Sequence, residues 1–260
     1  MASQTFSSGP ELADVETASA SYAARFAGDV GRWMLERQER LVLEALQRAG
    51  ARSVLDVGGG HGQLARPLAD AGYDVTVLGS ESICAARIAD LVQSNRCRFV
   101  VGSVIALPFA DRSFDAVVTV RLLAHCERWR MLIRECARVA RRVVIVDYPV
   151  AGGFNLLAPF LFEAKKKIEQ NTRRWRNFRH GEVAEAFRQF GFEPERRTGQ
   201  FFWPMGLHRA IGRLGVSKAL EWAPERLGVS ARFGTPVIAA YRRTDRRGDG
   251  FGLEAGFTGA

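Results

Sequence analysis

Short, uninterrupted apolar runs alternate with amphipathic segments through the middle of the chain. Residues 53–57, 74–78, 98–101, 115–120 and 142–147 read as strands rich in Val, Ile and Leu. Between them lie segments with helical spacing: one after Gly62, one near 82–93 and one at 128–139. Ahead of the first strand, Trp33, Met34, Leu41, Val42 and Leu46 recur at helical spacing within 22–49, and Gly50 is a natural C-cap. Strands without polar alternation, joined by helices, predict a parallel sheet covered on both faces, an α/β doubly wound architecture.

Beyond Asp147 the rhythm changes. A basic, aromatic helical stretch at 155–178 precedes a helix at 182–190, a strand-like run at 192–202 and a helical insertion at 206–227. A last strand at 235–241 contains Pro236, tolerable only at a strand start or edge. Residues 1–18 and 243–260 have no period and read as mobile tails. The expected domain is therefore 19–242, with insertions at about 151–180 and 204–232 shaping a substrate lid.

Composition narrows the class. With 260 residues, 47% hydrophobic and 25% charged, the chain matches ordinary globular usage rather than disorder. No stretch reaches the ~18 apolar residues of a membrane span, and the first residues lack a basic patch followed by an apolar core, so a cytoplasmic location is expected. Cys84, Cys97, Cys126 and Cys136 share no metal-type spacing and read as isolated buried thiols, with no metal expected. The formal charge of +9 is local: residues 121–180 hold 14 basic and 5 acidic residues. Such a surface suits an anionic acceptor, a membrane or nucleic acid.

The chemistry concentrates at Val54-Leu55-Asp56-Val57-Gly58-Gly59-Gly60-His61-Gly62, an apolar strand running into a glycine loop that opens a helix. The glycines allow a sharp turn and let a ligand approach the main chain. Gly60-x-Gly62-x-x-Ala65 also fits a dinucleotide fingerprint, so a nicotinamide or flavin enzyme is a competing reading. Asp56 separates the two, because a carboxylate at the strand end suits a cationic ligand and repels a pyrophosphate.

Further motifs follow in order: Gly102-Ser103-Val104, Leu107-Pro108-Phe109, Ser113-Phe114-Asp115, Leu122-Leu123-Ala124-His125, and Arg134-Glu135 with Arg138-Val139. Together with the loop they resemble the core of class I S-adenosylmethionine-dependent methyltransferases, particularly the small-molecule branch that includes quinone-biosynthesis methyltransferases. The resemblance implies a seven-stranded Rossmann-like sheet and S-adenosylmethionine as cofactor. It places Asp56 near the methionine ammonium, Gly58, Gly59, Gly60 and Gly62 against the methionine and ribose, Ser103 and Val104 by the adenine, and Arg121 at the methionine end. The family ends its second strand with an acid that binds the ribose hydroxyls. Here that position is Gly79, with Glu81 as the nearby substitute, and the family's adenine-contacting Asp is Ser103.

A sulfonium is already an activated donor, so alignment carries most of such a reaction. A base is needed only if the acceptor keeps its proton, and His125, on the carboxyl edge after the fourth strand, is the candidate. Tyr148, after the fifth strand, is the candidate to orient an acceptor, and His61 closes over the cofactor. The alternative for both His125 and Tyr148 is ordinary packing. Lys165, Lys166, Lys167, Arg173, Arg174, Arg176 and Arg179, interleaved with Phe160, Phe162, Trp175 and Phe178, form a basic amphipathic segment. It reads as a lid for an anionic or lipid-like acceptor, as a membrane-surface helix through 165–179, or as a solvated face. Phe201, Phe202, Trp203, Pro204 and Met205 line an acceptor pocket or are plain core. The expected reaction is methyl transfer to O or C of a small-molecule or lipid-like acceptor. The alternatives are an RNA methyltransferase, disfavoured because no RNA-binding module is appended, and a lapsed fold acting as a scaffold.

Overall fold

The computed structural model describes residues 11–17, 19–59, 62–150 and 176–244. Gly60, His61 and most of the expected first insertion, with Lys165–Lys167, Arg173 and Arg174, lie outside them. Seven strands form one sheet: β1 (Ser53–Val57), β2 (Asp74–Gly79), β3 (Arg98–Val101), β4 (Phe114–Thr119), β5 (Ala140–Tyr148), β6 (Phe192–Gly199) and β7 (Val237–Arg243). Their order is β3-β2-β1-β4-β5-β7-β6. The first five strands are parallel, and β7 runs antiparallel between β5 and β6.

Alternation along the strands divides the core into two layers. Val54, Ala116, Val118, Val143 and Ile145 pack with Val42 and Leu46 of α3 (Gly28–Ala49) and with Leu68 of α4 (Ala65–Asp70). Leu55, Val57, Val117, Val144, Val146 and Tyr148 pack on the other face with Leu132 and Ile133 of α6 (Trp129–Val139) and with Val183 and Phe187 of α7 (His180–Arg188). Between β2 and β3 the chain forms a 3₁₀ segment (Ser82–Ile88) and α5 (Ala89–Gln93), where the sequence predicted one continuous helix.

No helix joins β3 to β4; the loop is held by α6 instead. Glu135 accepts the Leu107 N–H at 3.0 Å, while Arg138 donates to the Leu107 and Phe109 carbonyls at 2.9 and 2.8 Å and pairs with Asp111. The Leu-Pro-Phe and Arg-Glu…Arg-Val motifs therefore belong together mechanically: one is a loop and the other its clamp.

Two sequence expectations require correction. Residues 11–17 are not a tail: they carry α1 (Ala13–Thr17), whose Ala13 and Asp14 are fully buried against the carboxyl ends of the strands. The leading helix is broken into α2 (Ala20–Ala24) and α3, with Gly50 in the left-handed C-cap conformation as expected. Strand boundaries shift modestly, β6 ending at Gly199 and β7 extending to Arg243. All four cysteines are buried free thiols.

Between β6 and β7 the chain leaves the sheet as α8 (Met205–Ile211), α9 (Leu214–Arg226) and α10 (Val229–Phe233). Glu221 organises this insertion. Its buried carboxylate accepts from the Phe202 and Trp203 amides, Ser230 Oγ and His208 Nε2, all at 2.9–3.1 Å. Although burial works to raise its pKa, these bonds hold it below the ordinary value. Pro224, inside α9, has no N–H for the Leu220 carbonyl, and the Trp203 indole donates to that carbonyl at 3.2 Å.

Candidate functional site

Asp56, near the end of β1, lies on the α3 face of the sheet and is 1% exposed. Its Oδ2 has no hydrogen-bond partner among the described residues. Burial pushes the carboxyl up to about 7, against the opposing pull of the Arg121 charge. An unpaired oxygen at such depth is costly unless a ligand completes it.

Glycine is required immediately beyond. A Cβ on Gly59 would sit 2.1 Å from Asp56 Oδ2, and one on Gly58, where φ is +74°, would sit 2.8 Å from Leu122. The chain can cross beside Asp56 only without side chains. Gly62 is also left-handed, packed against Arg87 and Ile88.

Arg121 faces this carboxylate from the end of β4. Its φ of +61° is in the left-handed region, uncommon for a non-glycine residue. Asp147, near the end of β5 and on the same sheet face, accepts the Arg121 N–H at 2.5 Å and so fixes that turn. Gln38 of α3 donates to the other Asp147 oxygen at 3.1 Å and accepts from Gln63 at 2.8 Å. Burial raises Asp147 to about 6, opposed by the Arg121 N–H and charge and by Gln38. Burial lowers the Arg121 pKa, opposed by the Tyr22 hydroxyl and by the carboxylates of Asp147 and Asp56. The Arg121 guanidinium lies over Phe26 at 4.4 Å and Tyr22 at 5.7 Å, and its Nε is buried and unpartnered. A half-buried cation under the influence of two buried carboxylates and covered by aromatics is a poised site rather than a surface ion pair.

At the end of β2 the expected acid is absent for a steric reason. A Cβ on Gly79 would lie 2.6 Å from the Cys84 Cβ and 3.0 Å from Phe99. Glu81 is exposed. The carboxylate in this corner comes from α1: Asp14 accepts the Ser80 N–H at 2.6 Å and the Ser80 hydroxyl, and its Cβ lies 3.4 Å from the position a Gly58 Cβ would take. Ala13 sits beside it among Leu55, Val57, Leu78, Val104 and Leu122. Of the expected adenine contacts, Val104 is buried, whereas Ser103 is exposed and accepts the Ile105 N–H at 3.3 Å.

The structure does not bring Tyr148 to this cluster. Alternation along β5 sends Asp147 toward α3 and Tyr148 into the opposite layer, where it is fully buried. Its hydroxyl meets His180 Nδ1 at 3.1 Å and the Tyr241 hydroxyl at 3.4 Å. His125 closes a 3₁₀ turn (Leu123–His125) after β4, half-buried. A groove of about 390 Å³ lined by Trp33, Glu36, Arg37, Arg40, Lys218, Trp222 and Glu225 contains none of the expected site residues.

Asp14, Tyr22, Phe26, Gln38 and Asp147 are the site residues that sequence reasoning missed. Asp147 carried a signal, a charged residue ending an apolar strand on the edge where such sheets bind ligands. Tyr22 and Phe26 are spaced four apart, as on one side of a helix.

An all-parallel dinucleotide sheet ordered 3-2-1-4-5-6 has no place for an antiparallel strand between β5 and β6, and the topology here therefore argues against that reading. Residues 55–145 match the methyltransferase-domain family. Over those residues the chain is similar to the methyltransferase domain, a stretch of about a third of its length. It is similar to demethylmenaquinone methyltransferase from Renibacterium salmoninarum, 33% identical over 136 residues, 49% of this chain and 53% of the relative. It is also similar to an O-methyltransferase from Aspergillus nomiae, 30% identical over 43% of this chain and 53% of the relative. The chain thus spans about half the length of these curated relatives. In fold it resembles magnesium protoporphyrin IX methyltransferase from Synechocystis, solved with bound SAH, with a TM-score of 0.60 and 18% identity over 88% of this chain and 97% of that one.

Proposed function

We propose that the chain transfers a methyl group from S-adenosylmethionine to an O or C atom of a small-molecule or lipid-like acceptor. The observation that carries this reading is the unpartnered Asp56 oxygen beside a glycine cradle, within the influence of the half-buried Arg121. That pair complements the ammonium and carboxylate of an amino-acid ligand, one charge each.

In this reading Asp56 takes the ammonium, Arg121 the carboxylate, and Gly58, Gly59, Gly60 and Gly62 the close approach of the ligand. Asp14 supplies the carboxylate that Gly79 and Glu81 do not, and Val104 lines the adenine side with Ser103. When bound, the cofactor supplies a methyl group on a sulfonium, open to displacement by an aligned nucleophile. Tyr22 and Phe26 exclude water above Arg121. His125 accepts the acceptor's proton where the acceptor is an alcohol or phenol. The similarity to demethylmenaquinone and O-methyltransferases supports the small-molecule class. The first insertion with its 165–179 segment is assigned to the acceptor side.

Calorimetric titration with S-adenosylmethionine and, separately, NADH tests the reading in wild type, Asp56→Ala and Gly60→Val. The expected result is binding of the sulfonium cofactor alone, lost in both variants. No binding, or preference for NADH, would overturn it. Binding without turnover on any phenol, quinol or carbon acceptor would favour a scaffold role.

A further inference from the structure

The insertion between β6 and β7 presents an apolar side to solvent. α9 buries Ser217 and Glu221 and half-buries Leu214, Leu220 and Pro224. Helical spacing then turns Gly215, Val216, Ala219, Trp222 and Ala223 outward, with Leu227 following, and all six are exposed, Trp222 by 60% and Leu227 by 77%. The outward face of a surface helix is ordinarily its charged face. On α9 the exposed charges are Lys218 and Arg226, with Glu225 paired to Arg37.

The same composition extends over the flanking helices. Leu207 on α8 and Phe233 on α10 are exposed, so five of the eight large exposed hydrophobic side chains among the described residues fall within 205–233. That stretch carries Arg209, Arg213, Lys218, Arg226 and Arg232, against Glu225 and the buried Glu221. Arg226 lies over the Trp222 ring at 5.4 Å and Arg232 over Phe233 at 5.5 Å, so cation and apolar ring share the same surface.

We propose that this face docks the protein on an anionic lipid bilayer. Exposed apolar side chains rimmed mainly by basic ones, with Glu225 held by Arg37 and Glu36 in the adjoining groove, mark an interaction surface. Trp222, Leu227, Val216 and Phe233 are suited to the headgroup boundary, and the long basic side chains to lipid phosphates beside them. A second copy of the chain fits less well, because a two-fold interface sets this cationic patch against itself. The inference does not depend on the identity of the acceptor, and it concerns a surface distinct from the glycine loop.

Sedimentation with vesicles provides the test, using phosphatidylcholine alone and phosphatidylcholine with about a third phosphatidylserine. The full chain should partition at least about tenfold more strongly onto the anionic vesicles, and roughly 0.5 M salt should weaken that binding. Val216→Ser/Leu227→Ser and Lys218→Glu/Arg226→Glu should each reduce partitioning about tenfold, with melting temperatures close to wild type because the positions are exposed. Absent binding, equal binding to both vesicle types, or undiminished binding by the variants would overturn the proposal. So would a concentration-dependent dimer, seen by analytical ultracentrifugation, that the same variants dissociate.

Discussion

Asp14 and Ser80 are joined by a 2.6 Å bond from the Ser80 amide to the Asp14 carboxylate, across 66 residues of sequence. This bond closes α1 over the end of β2, where Cys84 and Phe99 leave Gly79 no room for a side chain. Ser80 donates twice to this carboxylate and the Cys84 thiol reaches its Oδ2 at 3.8 Å, so Asp14 is the charged group at the corner where β2 carries none. Asp14→Asn should therefore weaken S-adenosylmethionine binding about tenfold, as expected for a charge-assisted bond worth ~1.5 kcal/mol. Calorimetry checks this, with Asp14→Glu as the charge-preserving control. Tighter binding in Asp14→Asn would instead show that α1 competes for the seat.

The pH response of Asp56 has a definite sign. Its folded pKa of about 7 exceeds the ordinary 3.8, so the folded chain holds this proton more tightly than the unfolded one. Stability therefore falls as pH rises from about 4 to about 7, and Asp147, raised to about 6, acts in the same direction. The melting temperature without ligand should be lower at pH 8 than at pH 5, and Asp56→Asn should reduce that difference. Cofactor affinity should run the other way, rising through pH 7 as the carboxylate ionises; a flat profile would remove Asp56 from the ammonium site.

Gly59→Ala is the most selective probe of the cradle, since the added methyl would sit 2.1 Å from Asp56 Oδ2. Circular dichroism should report a retained fold, while cofactor binding should fall at least about a hundredfold, from displacement of one charged ligand contact worth ~3 kcal/mol.

Glu221→Ala should be the most damaging single change in the insertion. It strands the Phe202 and Trp203 amides, Ser230 and His208 without their common acceptor. A loss of about 3 kcal/mol is expected, or roughly 6–12 °C in melting temperature. Thermal denaturation followed by circular dichroism checks it, and a shift below about 2 °C would show that the four donors find other partners.

The parallel half of the fold was legible in the sequence because β1, β2, β4 and β5 are buried on both faces and read as unbroken apolar runs. The glycine loop was legible for the same local reason. α1 was not, because Leu12-Ala13-Asp14-Val15 has no period, and it is positioned by contacts with Ser80 and the core rather than by propensity. Tyr148 misled because position on the edge was read without its parity: one residue earlier, Asp147 faces the site, whereas Tyr148 faces the core. The Arg134-Glu135 and Arg138 pattern pointed to the right fold, but its physical role is to clamp the 107–111 loop.

The insertion between β6 and β7 departs and returns at a single narrow neck. Gly199 and Gly234 approach so closely that a Cβ on Gly199 would lie 2.7 Å from the Gly234 backbone, and Gln200 and Thr235 bond across to Pro236 and Phe201 at 2.9 and 2.8 Å. Because the two sheet strands pair directly at this neck, Gly199 opposite Val237, everything beyond it is topologically a hairpin tip. Such a tip is joined to the sheet through that neck alone, while its other support is α3, through Phe201, Met205 and Leu214 against Val30, Trp33 and Met34 and through the Glu225–Arg37 pair. One sheet can thereby carry a different tip by replacement of a single contiguous piece of chain, provided the new piece still fits α3.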